Sequence, residues 1–136
     1  MAAITLPARL DSLAPCTAFV AACATAEGVP PQRVSAIELA VEEALVNICR
    51  YAYRRETGEV EVHCTRNETQ HLLIDLIDTG EPFNILTLPI PDLTTSLDDR
   101  QVGGLGVLLI QALVDHVTYR HADGRNILQL AVRLPS

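Results

Sequence analysis

A glutamate and an asparagine stand four residues apart in LAVEEALVNICRYAY, the stretch from Leu39 to Tyr53. At helical spacing, Glu43 and Asn47 project from the same side of one turn and can reach one site. An ionised carboxylate accepts a proton from a hydroxyl group or a water, and an amide oxygen is a suitable ligand for Mg²⁺. Polar pairs with this spacing also lie on the solvated flank of ordinary helices, so the pair alone leaves both interpretations open.

A second carboxylate, Asp78, is followed by Thr79 and Gly80 at the end of the apolar run HLLIDLID. Alternation along a strand turns the even-numbered residues of this run towards the core, and Asp78 with them. A carboxylate there needs a hydrogen-bond partner or a ligand, because an unpaired buried charge is strongly destabilising. The alternative is an aspartate that caps the following turn.

Three glycines, Gly103, Gly104 and Gly106, precede the apolar stretch VLLIQALVD. Glycine amides at the positive end of a helix could hold a phosphate group. The segment is neither a Walker A loop nor a dinucleotide fingerprint, since no Gly-Lys-Ser/Thr follows and no G-x-G-x-x-G is present. The same glycines could instead let a buried helix pack closely against its neighbours.

The hydrophobic pattern predicts the elements that position these residues. A short strand is expected from Ile4 to Arg9, and a helix from Asp11 or Ser12 to Glu27. Pro30 and Pro31 open a second helix, and the acid–amide pair borders its core-facing stripe. The stripe consists of Val34, Ile37, Val41, Leu45, Ile48 and Ala52.

Alternating runs predict two antiparallel hairpins, EVEVHCTR with HLLIDLID and HVTYRH with NILQLAVRL, the second around an Asp-Gly turn. Between them, residues 79–102 predict a long loop with one short helical turn, and loops of this length are usually functional. A helix that is apolar on nearly every side, and therefore deeply buried, is expected to follow. This order predicts an α+β, two-layer sandwich with helices on one face of a mostly antiparallel sheet.

The totals narrow the class of protein. A chain of 136 residues predicts a single domain, residues 1–136. A formal net charge of −7 disfavours direct contact with nucleic acid. No apolar run approaches the ~20 residues of a membrane span, and the N-terminus lacks export features, so a cytoplasmic location is expected. The four cysteines show no metal-ligand spacing and are predicted to be free thiols.

In this order, the motifs resemble those of the GHKL, or Bergerat-fold, ATPases. ELAVEEALVNICRYAY is similar to the N box of the bacterial anti-sigma-factor serine kinases, the RsbW-like group. DTGEPF resembles their first glycine box and GGLGVLLIQALVDHVTY their second. The resemblance covers nearly the whole chain and implies the Bergerat ATP-binding fold.

The resemblance also implies a role for each motif. Asn47 would coordinate Mg²⁺ on the ATP phosphates, Glu43 would be the general base, and Asp78 would accept a hydrogen bond from the adenine amino group. Gly80 would let the backbone pass close to the base. The amides of Gly104 and Gly106 would contact the phosphates. Arg100 would contact them as well, from a mobile lid that runs from about Leu86 to Val102. Tyr51 stands where the N box often has histidine.

The function implied is that of an ATP-dependent serine/threonine protein kinase. It would phosphorylate a small antagonist protein and sequester a sigma factor or an equivalent partner, and homodimers are common in the group. An ATP-gated binding module without kinase activity is the main alternative. A detached catalytic domain of a two-component system is disfavoured, because all four histidines fall in or beside predicted strands rather than in a phosphoacceptor helix.

Overall fold

The computed structural model describes residues 1–53, 58–87 and 102–135. These residues form a five-stranded sheet of order β1-β2-β3-β5-β4, in which every neighbouring pair is antiparallel. The strands are β1 (Ala2–Pro7), β2 (Glu59–Arg66), β3 (His71–Asp78), β4 (His116–Ala122) and β5 (Arg125–Arg133). The helices are α1 (Leu13–Ala26), α2 (Pro31–Asn47) and α3 (Val102–Leu113). The predicted α+β class is therefore confirmed.

The first hairpin buries the face that its alternation predicts. On β2 the inward residues Val60, Val62 and Cys64 are buried, and on β3 so are Leu72, Ile74 and Leu76. The antiparallel register pairs Val60 with Asp78, so that the carboxylate continues the same inward row. Strand β1 begins and ends two residues earlier than predicted, since its register against β2 runs from Ala2 to Pro7.

The second hairpin turns at Asp123 and Gly124, whose φ angles are 55° and 75°. Two successive left-handed residues are the backbone of a type I′ turn, for which Asp-Gly is a favoured pair. The tight turn fixes the register that places His121 opposite Asn126 and brings β5 against β3.

Helix α2 buries the whole predicted stripe, and its C-terminal end continues into a π-helical segment, Ile48–Ala52. The π-helical segment was not predicted, and such segments are frequent at functional sites. Upstream, a 3₁₀ turn at Leu10–Ser12 precedes α1, and the Ser12 hydroxyl donates a hydrogen bond to the Pro7 carbonyl oxygen at 2.6 Å.

The expectation of a deeply buried α3 is wrong. Val107 and Ile110 bury one face of α3, and Val114 directly after the helix is buried too, whereas Gln111 and Ala112 are exposed. Among the described residues α3 packs mainly against α2, with fewer contacts to the Ile85–Thr87 turn and to β4, so its composition overstates its burial.

Several smaller expectations can also be compared with the described residues. A 3₁₀ turn at Ile85–Thr87 matches the short helical turn predicted in the long loop. Arg100 and most of the predicted lid lie outside the described residues. All four cysteines are free thiols. Among the described residues, no helix is long and apolar enough to cross a membrane.

Candidate functional site

The acid–amide pair lies at the C-terminal end of α2, where the asparagine is almost completely buried. Asn47 is 2% exposed, and its Nδ2 donates a hydrogen bond to the Glu43 carbonyl oxygen at 2.9 Å. Its Oδ1 is buried and has no hydrogen-bond partner among the described residues. An amide oxygen in that state is costly unless a ligand satisfies it, and an oxygen ligand of this kind suits Mg²⁺.

Glycine 106 brings α3 against this pair. A Cβ atom at Gly106 would lie 2.9 Å from Glu43 Oε2 and 3.1 Å from Asn47 Nδ2. Gly104 lies in the first turn of α3 as described, and Gly106 lies in the second. Close packing on Glu43 and Asn47 therefore explains Gly106 in this conformation.

The second carboxylate of the site, Asp78, is 3% exposed at the end of β3. Its Oδ1 accepts hydrogen bonds from the Gly80 amide at 2.9 Å and from Asn126 Nδ2 at 2.8 Å. Burial raises the pKa of Asp78, and the hydrogen bonds from Asn126 and Gly80, with the nearby His121, act against that rise. The inward parity predicted for this residue is correct.

Glycine 80 joins the Asp78 segment to the end of α2. A Cβ atom at Gly80 would lie 2.4 Å from the Ala52 carbonyl oxygen, which no side chain could accommodate without a backbone shift. The same carbonyl oxygen accepts the Glu81 amide at 2.9 Å. The loop that contains Gly80 therefore packs directly on the π-helical segment that continues α2. The helical element that carries Glu43 and Asn47 thus also contacts the Asp78 segment.

Aromatic side chains strengthen this joint. The Tyr51 ring stacks on Phe83 with centroids 4.6 Å apart and planes 14° from parallel. The Tyr53 hydroxyl accepts the Thr79 amide at 2.9 Å and donates to the Glu59 carbonyl oxygen at 2.9 Å. Tyr51, at the position where the resemblance leads one to expect histidine, thus packs on Phe83 in the segment that follows Asp78.

Asn126 and Tyr119 extend the hydrogen bonds around Asp78, and none of the sequence motifs assigns a role to either residue. Asn126 is 3% exposed and lies directly opposite Asp78 in the sheet. The Tyr119 hydroxyl donates a hydrogen bond to Asn126 Oδ1 at 2.5 Å. The parity that turns Asp78 inward applies equally to β5, so an amide at an inward, even-numbered position was the available signal.

The described structure brings Glu43, Asn47 and Gly106 together, and it places Asp78 and Gly80 in a second group that contacts the end of the same helical element through Ala52. No group of three His, Cys, Asp or Glu residues in the described ranges could hold a metal ion by itself. A metal at Asn47 would therefore need most of its ligands from a bound molecule and water. A separate cleft of about 440 Å³, which includes Cys23 and Cys64, contains none of these residues.

Sequence comparison identifies relatives over most of the chain. A sequence profile described as the histidine kinase-like ATPase domain matches residues 6–132. The serine-protein kinase RsbW of Bacillus mycoides (strain KBAB4) is 28% identical over 127 residues, covering 90% of this chain and 79% of the relative. The protein of the same name from Bacillus thuringiensis (strain Al Hakam) is 26% identical over the same coverage. The kinase class predicted from the sequence agrees with the names of these relatives.

Structural comparison agrees on the fold. The structure of the RsbU and RsbW domains of Rv1364c from Mycobacterium tuberculosis matches with a TM-score of 0.67 and 16% identity, covering 98% of this chain. The blue-light-activated histidine kinase of Erythrobacter litoralis EL346 matches with a TM-score of 0.56 and 17% identity, covering 77% of this chain. The matches span only 33% and 31% of those longer chains. The predicted histidine-kinase-like ATPase fold is confirmed.

Proposed function

Because the chain belongs to the histidine kinase-like ATPase family, we propose that it is an ATP-dependent serine/threonine protein kinase. Its substrate would be a small antagonist protein that receives the γ-phosphoryl group. The observation that carries the proposal is the buried, unpartnered Oδ1 of Asn47 one turn from Glu43, on the element that also anchors the Asp78 loop. Buried polar atoms normally have a hydrogen-bond partner, and a metal ion bound with a nucleotide would supply the ligand that this oxygen lacks.

The adenine end of the site is assigned to Asp78 and Gly80. One oxygen of the Asp78 carboxylate is held by Gly80 and Asn126, which leaves the other able to accept a hydrogen bond from a 6-amino group. The absence of a side chain at Gly80 lets the loop pack close to the π-helical segment, and the backbone at Gly80 would pass close to the base.

The phosphate end is assigned to Asn47 and the first turns of α3. The residues present fit a magnesium ion, because Asn47 offers a buried oxygen and Mg²⁺ usually completes its shell with phosphate oxygens and water. Bound Mg²⁺ would neutralise charge on the phosphates. Gly104 places a backbone amide in the first turn, where the helix end favours an anion, and Gly106 allows α3 to approach the pair.

Glu43 is assigned the role of general base. As the serine hydroxyl oxygen bonds to the γ-phosphorus, its proton passes to the Glu43 carboxylate. The bond from that phosphorus to the β–γ bridging oxygen breaks, and ADP leaves. Positioning and charge neutralisation supply most of the catalysis in such transfers, so the closeness of Glu43 to Asn47 and Gly106 is the relevant geometry.

The regulatory part of the proposal comes from the resemblance to the RsbW group. The same protein would sequester a sigma factor or an equivalent regulator, and phosphorylation of the antagonist would stop the antagonist from breaking that complex. Arg100, in the predicted lid, would contact the phosphates. A cytoplasmic location and a homodimer are part of this proposal.

The test is incubation of the purified chain with γ-labelled ATP, magnesium and candidate antagonist proteins from the same genome. We expect label on a serine or threonine of one of them, and loss of at least about 100-fold in the transfer rate with Glu43→Gln. Glu42→Gln is the matched control, because Glu42 is the exposed neighbour on the same helix. Nucleotide binding without transfer to any candidate would support the ATP-gated binding module instead.

A further inference from the structure

We propose that Asn126 is a positioning residue that determines the base specificity of this site. By fixing which oxygen of Asp78 faces the ligand, Asn126 would select a 6-amino purine over a 6-oxo purine. The inference rests on the proposed function, because it concerns the same nucleotide. Its evidence differs from that for the proposed function. It consists of the hydrogen bonds around the buried amide of Asn126, a residue that lies outside the three motifs.

The orientation of the Asn126 amide is set by backbone groups that cannot change their character. Its Nδ2 lies 2.9 Å from the Glu81 carbonyl oxygen and 3.4 Å from the Gly80 carbonyl oxygen, and both atoms only accept. Its Oδ1 lies 3.3 Å from the Phe83 amide nitrogen, which only donates. Rotating the amide by 180° would therefore leave three backbone groups mismatched.

A fixed Asn126 amide in turn makes the two carboxylate oxygens of Asp78 unequal, because it donates to only one of them. Nδ2 must donate to Oδ1 at 2.8 Å, and the Gly80 amide donates to the same oxygen at 2.9 Å. No described residue hydrogen-bonds Oδ2. The carboxylate is thus anchored through one oxygen and keeps the other as an acceptor for a ligand.

That acceptor discriminates between purines by the group at position 6. The amino group of adenine donates a hydrogen bond to a carboxylate oxygen, whereas the carbonyl oxygen of hypoxanthine or guanine repels it. A site that holds a charged acceptor in place favours the donor by about tenfold or more. The preference requires the carboxylate to stay ionised in a buried position, which a fixed donor at Oδ1 favours.

Tyr119 completes the arrangement from β4. Its hydroxyl donates to Asn126 Oδ1, so the amide oxygen has donors from both Tyr119 and the Phe83 backbone. Loss of the hydroxyl would weaken the preference for one amide orientation without adding charge. Tyr119 therefore acts through Asn126, and its removal should have the smaller effect.

The experiment is calorimetric titration of the full chain with Mg-ADP and with Mg-IDP, the inosine analogue. Wild-type protein should prefer ADP by about tenfold or more. Asn126→Asp places an oxygen where Nδ2 stood, 2.8 Å from Asp78 Oδ1, so the two carboxyls must share a proton. The ratio of affinities should then fall below about threefold, and Tyr119→Phe should give an intermediate ratio.

Gln129→Glu is the matched control. It makes the same amide-to-acid change on the same strand, and Gln129 Nε2 also donates to an aspartate, Asp75, at 2.9 Å, but on the other face of the sheet. This control should keep the wild-type ratio. If Asn126→Asp does not fold, the ratio of ADP to IDP affinities of Tyr119→Phe tests the inference. An unchanged ratio in that variant would overturn it.

The possible results separate the two proposals. A parallel loss of both affinities with an unchanged ratio would mean that Asn126 is only structural, and would overturn the inference. Equal wild-type affinity for ADP and IDP would overturn it too, while leaving the proposed function standing. Wild-type protein that binds neither nucleotide would contradict both.

Discussion

Gly80→Ala tests the contact between the loop that contains Gly80 and the π-helical segment at the end of α2. The added Cβ would lie 2.4 Å from the Ala52 carbonyl oxygen, whereas ordinary contact begins near 3.4 Å. The loop must therefore move by roughly 1 Å, because the atom it meets belongs to a helical backbone that cannot rotate away. Such a movement would break the 2.9 Å hydrogen bond from the Glu81 amide to Ala52.

The expected cost follows from these two effects. Overpacking costs about 1–3 kcal/mol and a lost backbone hydrogen bond about 1 kcal/mol, which together give roughly 2–4 kcal/mol. An unfolding entropy of about 2.1 cal/mol/K per residue gives roughly 0.29 kcal/mol/K for this chain. The melting temperature should then fall by about 7–14 °C, and ADP affinity should fall at temperatures where the variant is still folded.

Thermal unfolding followed by circular dichroism, with and without Mg-ADP, measures both effects. Gly28→Ala is the control: its Cβ would meet nothing within 4 Å, but the residue has a φ of 87°. It should lower the melting temperature by only about 3–7 °C, from left-handed strain of about 1–2 kcal/mol, and leave ADP affinity unchanged. A Gly80→Ala protein that melts within about 2 °C of wild type would refute the reasoning, since the predicted clash would then not exist.

Two further substitutions test residues at the candidate site. Asp78→Asn keeps an acceptor for Gly80 and Asn126 but replaces the free oxygen with a donor, so Mg-ADP affinity should fall about tenfold or more and the preference should shift towards Mg-IDP in competition titrations. Burial raises the pKa of Asp78 in the folded state above the ordinary value of 3.8, so the folded state binds more protons than the unfolded state. Stability therefore falls as pH rises from the unfolded pKa to the folded pKa. Asp78→Asn should therefore raise the melting temperature near pH 7, with the gain disappearing below about pH 3; an equal gain at both pH values would contradict this assignment. Gly106→Ala should leave the melting temperature unchanged or raise it by up to about 3 °C, since alanine is favoured over glycine inside a helix by about 1 kcal/mol. The 2.9 Å approach to Glu43 Oε2 should nevertheless displace that carboxylate and slow phosphoryl transfer by about tenfold or more, and an unchanged rate would argue against the geometry assigned to the base.

Much of the fold could be predicted because its signals are local. Alternation identified both hairpins and the inward turn of Asp78, and an Asp-Gly pair identified the second turn. Helix α3 was misjudged because composition shows how apolar a helix is but not how many neighbours cover it. The π-helical segment at the end of α2 was missed because its sequence continues an ordinary helical stripe.

The candidate site could be predicted only in part, for a similar reason. Motifs indicated Glu43, Asn47 and Asp78, whose surroundings carry recognisable spacing. Asn126 lies 48 residues from Asp78 along the chain, and only the pairing of β3 with β5 brings the two side chains together. The contact of Gly106 with Glu43 likewise depends on how α3 packs across α2.

The most direct test of the central claim is calorimetric titration of the folded chain of 136 residues with Mg-ADP. The arrangement of Asn47, Asp78 and the glycines predicts saturable binding of one nucleotide per chain, with a dissociation constant below about 1 mM. It also predicts that binding weakens with Asp78→Asn. Absence of any binding heat up to several times about 1 mM nucleotide, from protein whose circular dichroism shows it to be folded, would contradict the existence of this site.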